Sequence, residues 1–320
     1  MNRPDQRMAD TITARRDHAS VAIVGAVAST EVAIRTAAAC EGWRVAMVVT
    51  LPPEKAARHS DFRDLSTAGR ESAAELLHAE RINDTCILDR IAAARPDLVL
   101  VVGWSQIFGP DLLRIFEGRV LGYHPAALPR LRGRAAIPWT ILNDEPITAG
   151  TLFWVDAGID SGAVFEQRFF HVAPDETAGS LYDKHMDALA AMISSGLARL
   201  RRGDAAARDQ DEHCATYAAK RSAADGRIDW NRPTAEIDRL IRAVGRPYPG
   251  AFTSSRGERI IVWAASRQAG GERHLAAPGQ VVARGAHHFD VRTGDGLLRV
   301  RNWKNDTGRP PPLHTVLGDG

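Results

Sequence analysis

Leu98-Val99-Leu100-Val101-Val102 runs directly into Gly103-Trp104-Ser105-Gln106-Ile107-Phe108-Gly109-Pro110. A short, unbroken, valine-rich run has no polar face, so it reads as a central parallel strand buried on both sides. After it, Asp111 to Phe116 reads as a short helix and Val120 to Tyr123 as the next strand. Toward the N-terminus, Val21-Ala22-Ile23-Val24-Gly25 is an apolar run ending in glycine. Ser29-Thr30-Glu31 then opens an alanine-rich helix that reaches Cys40. Trp43 to Val49 is a second buried strand, closed by Leu51-Pro52-Pro53. Gly69 to Arg81 has helical spacing at Ala73, Leu76 and Leu77, and Ile82-Asn83-Asp84 caps a further helix that Arg95-Pro96 stops. Strands and helices alternating at this rhythm predict an α/β fold. Its sheet is doubly wound and mostly parallel, with ligands at the carboxyl ends of the strands.

Gly25-Ala26-Val27-Ala28-Ser29 lacks the G-x-G-x-x-G fingerprint, which argues against dinucleotide binding at the first turn. The chain has 320 residues, 44% hydrophobic and 25% charged, with a net charge of +2. That balance is ordinary for a soluble protein and too near neutral to point to nucleic acid or a membrane surface. Cys40, Cys86 and Cys214 show neither metal-ligand nor redox spacing, so no metal site is expected and a reducing, cytoplasmic compartment is the simplest reading. Residues 1–18 carry several arginines and no apolar stretch, and are expected to form a loose N-terminal extension rather than a signal.

Two polar residues stand out beyond the central strand. His124 follows Val120-Leu121-Gly122-Tyr123 and precedes Pro125, where a strand gives way to a loop. Asp160 lies in Asp156-Ala157-Gly158-Ile159-Asp160-Ser161-Gly162, after the apolar run Thr151 to Val155. If both loops open at one sheet edge, imidazole and carboxylate meet. A carboxylate that fixes the imidazole tautomer and stabilises its cation makes a general base. The plain alternatives are a core histidine before a proline and an Asx-turn former between glycines.

Gly122-Tyr123-His124-Pro125, then Leu128-Pro129-Arg130-Leu131-Arg132-Gly133, then Asp156 to Gly162 resemble in order and spacing the signature of the folate-dependent formyltransferases. The resemblance extends from about residue 20 to residue 305. It implies 10-formyltetrahydrofolate as donor and an Asn-His-Asp trio, of which His124 and Asp160 supply two. The family Asn falls on Gly122, which has no side chain to do its work. Gln106 is the proposed substitute, its carboxamide leaving the neighbouring strand; the alternative is that it binds loop backbone. By position, Trp104, Ser105, Ile107, Phe108, Asp156 and Gly158 fall at the expected folate pocket. Arg130, Arg132 and Arg134 are candidates for an acceptor phosphate or the folate tail, or a solvated loop.

From Thr177 to about Arg202, Leu181, Met186, Leu189, Met192, Ile193, Leu197 and Leu200 recur at helical spacing, with Met186 and Met192 as core packing. The first domain is placed at 19–203, and the charged, alanine-rich 204–218 reads as a linker. In 219–320, Ile237, Leu240, Ile241 and Val244 mark an amphipathic helix. Arg246 to Thr253 reads as a turn. Arg259 to Ala264, Gly279 to Ala283, Phe289 to Arg292 and Leu297 to Trp303 are short strands. Those strands suggest a small β-barrel, like the oligonucleotide-binding (OB) type domain of the resembled family. No dense basic run marks it as an RNA surface. The expected function is formyl transfer to the amine of a small acceptor, a nucleotide-linked amino sugar, with methionyl-tRNA as the alternative. A different class, a folate-binding protein or a transferase of another one-carbon or carbamoyl group, follows if losing the Asn abolished turnover. A homodimer is compatible with the sequence.

Overall fold

The computed structural model describes residues 18–58, 61–116 and 118–318. The expected N-terminal extension therefore lies, but for its last residue, outside the described residues. The chain divides into two compact units. One comprises residues up to 136, 147–171 and 183–218; the other comprises 137–146, 172–182 and 219–320.

In chain order the elements are β1 (Ala19–Val24), α1 (Ala28–Ala39), β2 (Trp43–Thr50), α2 (Ser66–Glu71), β3 (Glu75–His78), α3 (Thr85–Ala93), β4 (Leu98–Val101) and α4 (Pro110–Ile115). They continue with β5 (Val120–His124), β6 (Arg132–Gly133), α5 (Ala136–Leu142), β7 (Ile147–Trp154), β8 (Val164–His171), α6 (Ala178–Arg201) and β9 (Tyr217–Ala218). A seven-stranded sheet has the order β3-β2-β1-β4-β5-β7-β8, parallel through β5 and antiparallel at β7 and β8.

Both faces of this sheet are buried, as the unbroken apolar strands require. Val21, Ile23, Leu98 and Leu100 pack on one face with Ala33 and Ile34 of α1 and Leu189, Met192, Ile193 and Leu197 of α6. Ala22, Val24, Val99 and Val101 face the other way onto Ile87 and Ile91 of α3 and Leu112 of α4. The chain reverses its direction of winding between β1 and β4, where open α/β sheets place ligands. The expected helix over Gly69 to Arg81 is instead a short α2 followed by edge strand β3, with Leu76 and Leu77 paired to Val48 and Val49. Spacing alone does not separate a four-residue strand from one helical turn.

Residues 204–218 are not a free linker. Arg208 exchanges both backbone hydrogen bonds with Val164, at 2.7 and 2.8 Å, and β9 pairs in parallel with β6. Their polar composition suits an extended strap on a surface as well as it suits a linker.

The second unit carries α7 (Thr234–Ala243), β10 (Ala251–Ser255), β11 (Glu258–Gln268), β12 (Val281–Arg284), β13 (Phe289–Arg292) and β14 (Leu297–Lys304). Its antiparallel sheet, β10-β11-β14-β13-β12, is an open, half-barrel form of the expected barrel. Ile237 and Ile241 bury the apolar face of α7. Part of the stretch read as a turn, Ala251 to Thr253, belongs to β10. Among the described residues no helix is long and apolar enough to cross a membrane.

Candidate functional site

His124 ends β5, and the alternation of the strand sets where its neighbours point. Tyr123 turns toward α6, while Gly122 and His124 share the opposite face. His124 is 5% exposed. Its Nε2 lies 2.7 Å from the Leu131 carbonyl. A carbonyl only accepts, so Nε2 carries the hydrogen and Nδ1 is left facing Asp160 Oδ2 at 3.4 Å.

The meeting does not arise from a shared sheet edge. β7 runs antiparallel to β5, so Trp154, from which the Asp160 loop departs, pairs with Leu121 at the start of β5. The loop returns to the imidazole from there. Asp160 adopts φ +49°, a left-handed conformation that Asp tolerates better than most residues. Its Oδ2 accepts the Gly133 N–H at 2.8 Å. The Asx-turn role belongs to Asp156 instead, whose Oδ1 accepts from Gly158 N–H at 3.0 Å and Ser161 Oγ at 2.8 Å.

The loop after His124 is fixed from β7 and β8. Thr151 Oγ1 donates to the Ala126 carbonyl at 2.6 Å, and Gln167 Nε2 donates to the Leu128 carbonyl at 2.9 Å. Behind β5, His185 of α6 is fully buried and joined to Tyr123. Tyr123 Oη donates to the His185 carbonyl at 3.2 Å and shares a 3.0 Å bond with His185 Nδ1. Since the hydroxyl proton is on the carbonyl, Nδ1–H is the donor in that second bond. His185 Nε2, buried without a partner among the described residues, then presents a lone pair rather than a stranded N–H. Burial, with a smaller contribution from the charge of His124, pushes the His185 pKa down to about 3.

Gln106 is not joined to His124 or Asp160. Its Oε1 accepts the Ile82 N–H at 3.1 Å and its Nε2 donates to the Glu80 carbonyl at 2.8 Å. Nearby, Ile107 is 69% exposed, Ser105 is exposed and Trp104 half-buried, while Phe108 is buried with Leu112, Phe116 and Val120. Asp156 and Gly158 are exposed in their loop.

Arg132 departs from the phosphate-binding expectation. It is 1% exposed, and Glu212, Gln210 and the Tyr217 hydroxyl together take its guanidinium hydrogens. Those hydrogen bonds hold its proton more tightly than usual. Only Arg130 and Arg134 reach solvent. Sequence reasoning missed Gln210, Glu212 and Thr216, whose hydroxyl accepts the Leu131 N–H at 2.9 Å. No local motif marks residues that act from a distant strap.

Residues 20–196 match the formyl transferase family, and residues 220–317 match the formyl transferase C-terminal domain. The chain is 30% identical over 261 residues to a methionyl-tRNA formyltransferase of Agathobacter rectalis, spanning 81% of this chain and 83% of that one. Two solved structures share the fold. An N-formyltransferase from Helicobacter canadensis, in complex with folinic acid and dTDP-3-aminofucose, has a TM-score of 0.63 at 15% identity, covering 89% of this chain and 100% of that one. A variant of HypX from Aquifex aeolicus has a TM-score of 0.64 at 18% identity over 89% of this chain, which spans only 46% of HypX.

Proposed function

The chain belongs to the formyl transferase family, and on that premise we propose that it moves a formyl group from 10-formyltetrahydrofolate to a primary amine at His124 and Asp160. The observation that carries this reading is the buried imidazole 3.4 Å from a carboxylate that the loop backbone holds in place. The amine attacks the formyl carbon as the free base, a tetrahedral oxyanion forms, and the folate nitrogen leaves. His124 takes the amine proton and passes it to the departing folate nitrogen, while Asp160 orients the ring and stabilises its cation in between. To accept that proton, Nε2 must leave the Leu131 carbonyl and the ring hydrogen must move to Nδ1, where Asp160 Oδ2 accepts it. The exposed Ile107, with Trp104 and Ser105, lies after β4 beside the winding switch and suits the donor's flat ring. Three cysteines without metal or redox spacing support a cytoplasmic location.

Gln106 is assigned to holding the 80–82 backbone rather than to the oxyanion. The acceptor is read as an amino sugar linked to a nucleotide, with its phosphates beside the exposed Arg134. A second reading, methionyl-tRNA, is favoured by the Agathobacter relative. Formyl transfer to dTDP- and GDP-linked amino sugars and to methionyl-tRNA, measured side by side, separates them. Product with a sugar nucleotide alone supports the first reading. Product with methionyl-tRNA alone overturns it.

A further inference from the structure

Gln210 sits where three parts of the site converge. Its Nε2 donates to two carbonyls of the Asp160 loop, those of Asp160 at 2.8 Å and Gly162 at 2.7 Å. Its Oε1 accepts from Arg132 Nε at 3.1 Å and Nη2 at 2.9 Å. The residues on either side of Arg132 touch the reacting pair directly. The Leu131 carbonyl accepts from His124, and the Gly133 N–H donates to Asp160. One carboxamide thus ties the backbone that presents the carboxylate to the loop that seats the imidazole.

The backbone it holds needs holding. Asp160 at φ +49° occupies a conformation that a non-glycine residue seldom adopts and that persists only where its surroundings enforce it. Asp160 is also partly open to solvent, so packing alone does not fix it. The Arg132 guanidinium is itself immobilised by Glu212, at 2.6 and 2.9 Å. The anchor on which Gln210 rests is therefore rigid.

We propose that Gln210 is a positioning residue for formyl transfer, setting the approach of Asp160 to His124 by clamping the 160–162 backbone to Arg132. The proposal rests on His124 and Asp160 being the reacting pair. Its hydrogen bonds go to Asp160, Gly162 and Arg132 rather than to the residues read as holding the donor, so its signature is a loss of turnover without a loss of donor binding. Gln210→Glu keeps the length and the acceptor oxygen toward Arg132, but turns an oxygen onto the two carbonyls. Gln210→Ala removes the clamp.

The test is steady-state formyl transfer by the full-length wild type, Gln210→Glu and Gln210→Ala, each with a thermal melt. In both variants kcat is expected to fall about tenfold to a hundredfold, the scale of a displaced catalytic group. KM for 10-formyltetrahydrofolate is expected to stay within about twofold. Wild-type kcat in folded Gln210→Glu overturns the proposal. So does failure of both variants to fold, which makes Gln210 a folding residue. A wild type that transfers formyl to no amine overturns the His124–Asp160 reading instead.

Discussion

Phe153 stands directly opposite Gly122 in the β5–β7 pairing, its ring atoms Cε1 and Cζ 2.9 and 3.0 Å from where a side chain on residue 122 would begin. Val155 Cγ2 is 3.0 Å from the same point. The ring is buried with Leu128 and Val164. A carboxamide at position 122, the group the family resemblance places there, and a phenyl ring at 153 cannot share this space without a shift. Gly122 and Phe153 therefore form one unit, and beside His124 they make an apolar wall rather than a polar one.

Gly122→Asn is accordingly expected to destabilise the protein by about 1–3 kcal/mol through overpacking. Combined with Phe153→Ala, it should cost less than the sum of the two single changes, because the smaller residue vacates the space the larger one needs. Urea unfolding of the four proteins gives the coupling. Strict additivity would show that the ring yields to Asn unaided.

Asp160→Gly separates the backbone from the carboxylate. Glycine adopts φ +49° without strain, which offsets part of the loss of the Oδ2–Gly133 hydrogen bond, so the melting temperature is expected to fall by no more than a few degrees. Turnover is expected to fall by about a hundredfold to ten-thousandfold, the usual contribution of general-base assistance. Thermal melts paired with initial rates check both halves.

Stability should fall in mild acid because of His185. Its folded pKa of about 3 lies below the 6.5 of the unfolded chain, so between those values the unfolded state binds the proton and the folded state does not. Its contribution is complete above pH 6.5 and is lost as pH drops toward 3, with a slope of up to about 1.4 kcal/mol per pH unit. Urea unfolding at pH 7 and pH 5 should show the loss in the wild type and a shallower dependence in His185→Gln. Equal slopes in the two proteins would contradict it.

Gln106→Ala distinguishes a loop clamp from an oxyanion donor. With both ends of the carboxamide on the Glu80 and Ile82 backbone, kcat should stay within about threefold, whereas removing an oxyanion donor costs about a hundredfold to a thousandfold. The measured kcat decides between the two roles.

The sequence exposed most of the first sheet, and the reason is burial. β1, β2, β4 and β5 carry apolar residues on both faces because helices cover both faces, and such runs are legible without neighbours. β3 was hidden because an edge strand of four residues, Glu75 to His78, carries too little pattern. His124 and Asp160 were legible as residues next to punctuation, a proline and two glycines. The route by which they meet was not, since nothing local declares that β7 runs antiparallel. Arg132 illustrates the same limit from the other side. An arginine in a polar loop reads as solvated or ligand-binding, and Gln210, Glu212 and Tyr217, far along the chain, turn it inward.

Formyl transfer through His124 paired with Asp160 requires the two side chains to act as one unit. The most direct measurement is a single-turnover rate of tetrahydrofolate release from 10-formyltetrahydrofolate, with saturating acceptor amine, in the wild type, His124→Ala, Asp160→Asn and the double variant. Residues acting as one unit give non-additive losses, so the double variant should be about as slow as His124→Ala alone. Wild-type rates in His124→Ala, or losses that multiply in the double variant, would contradict the account.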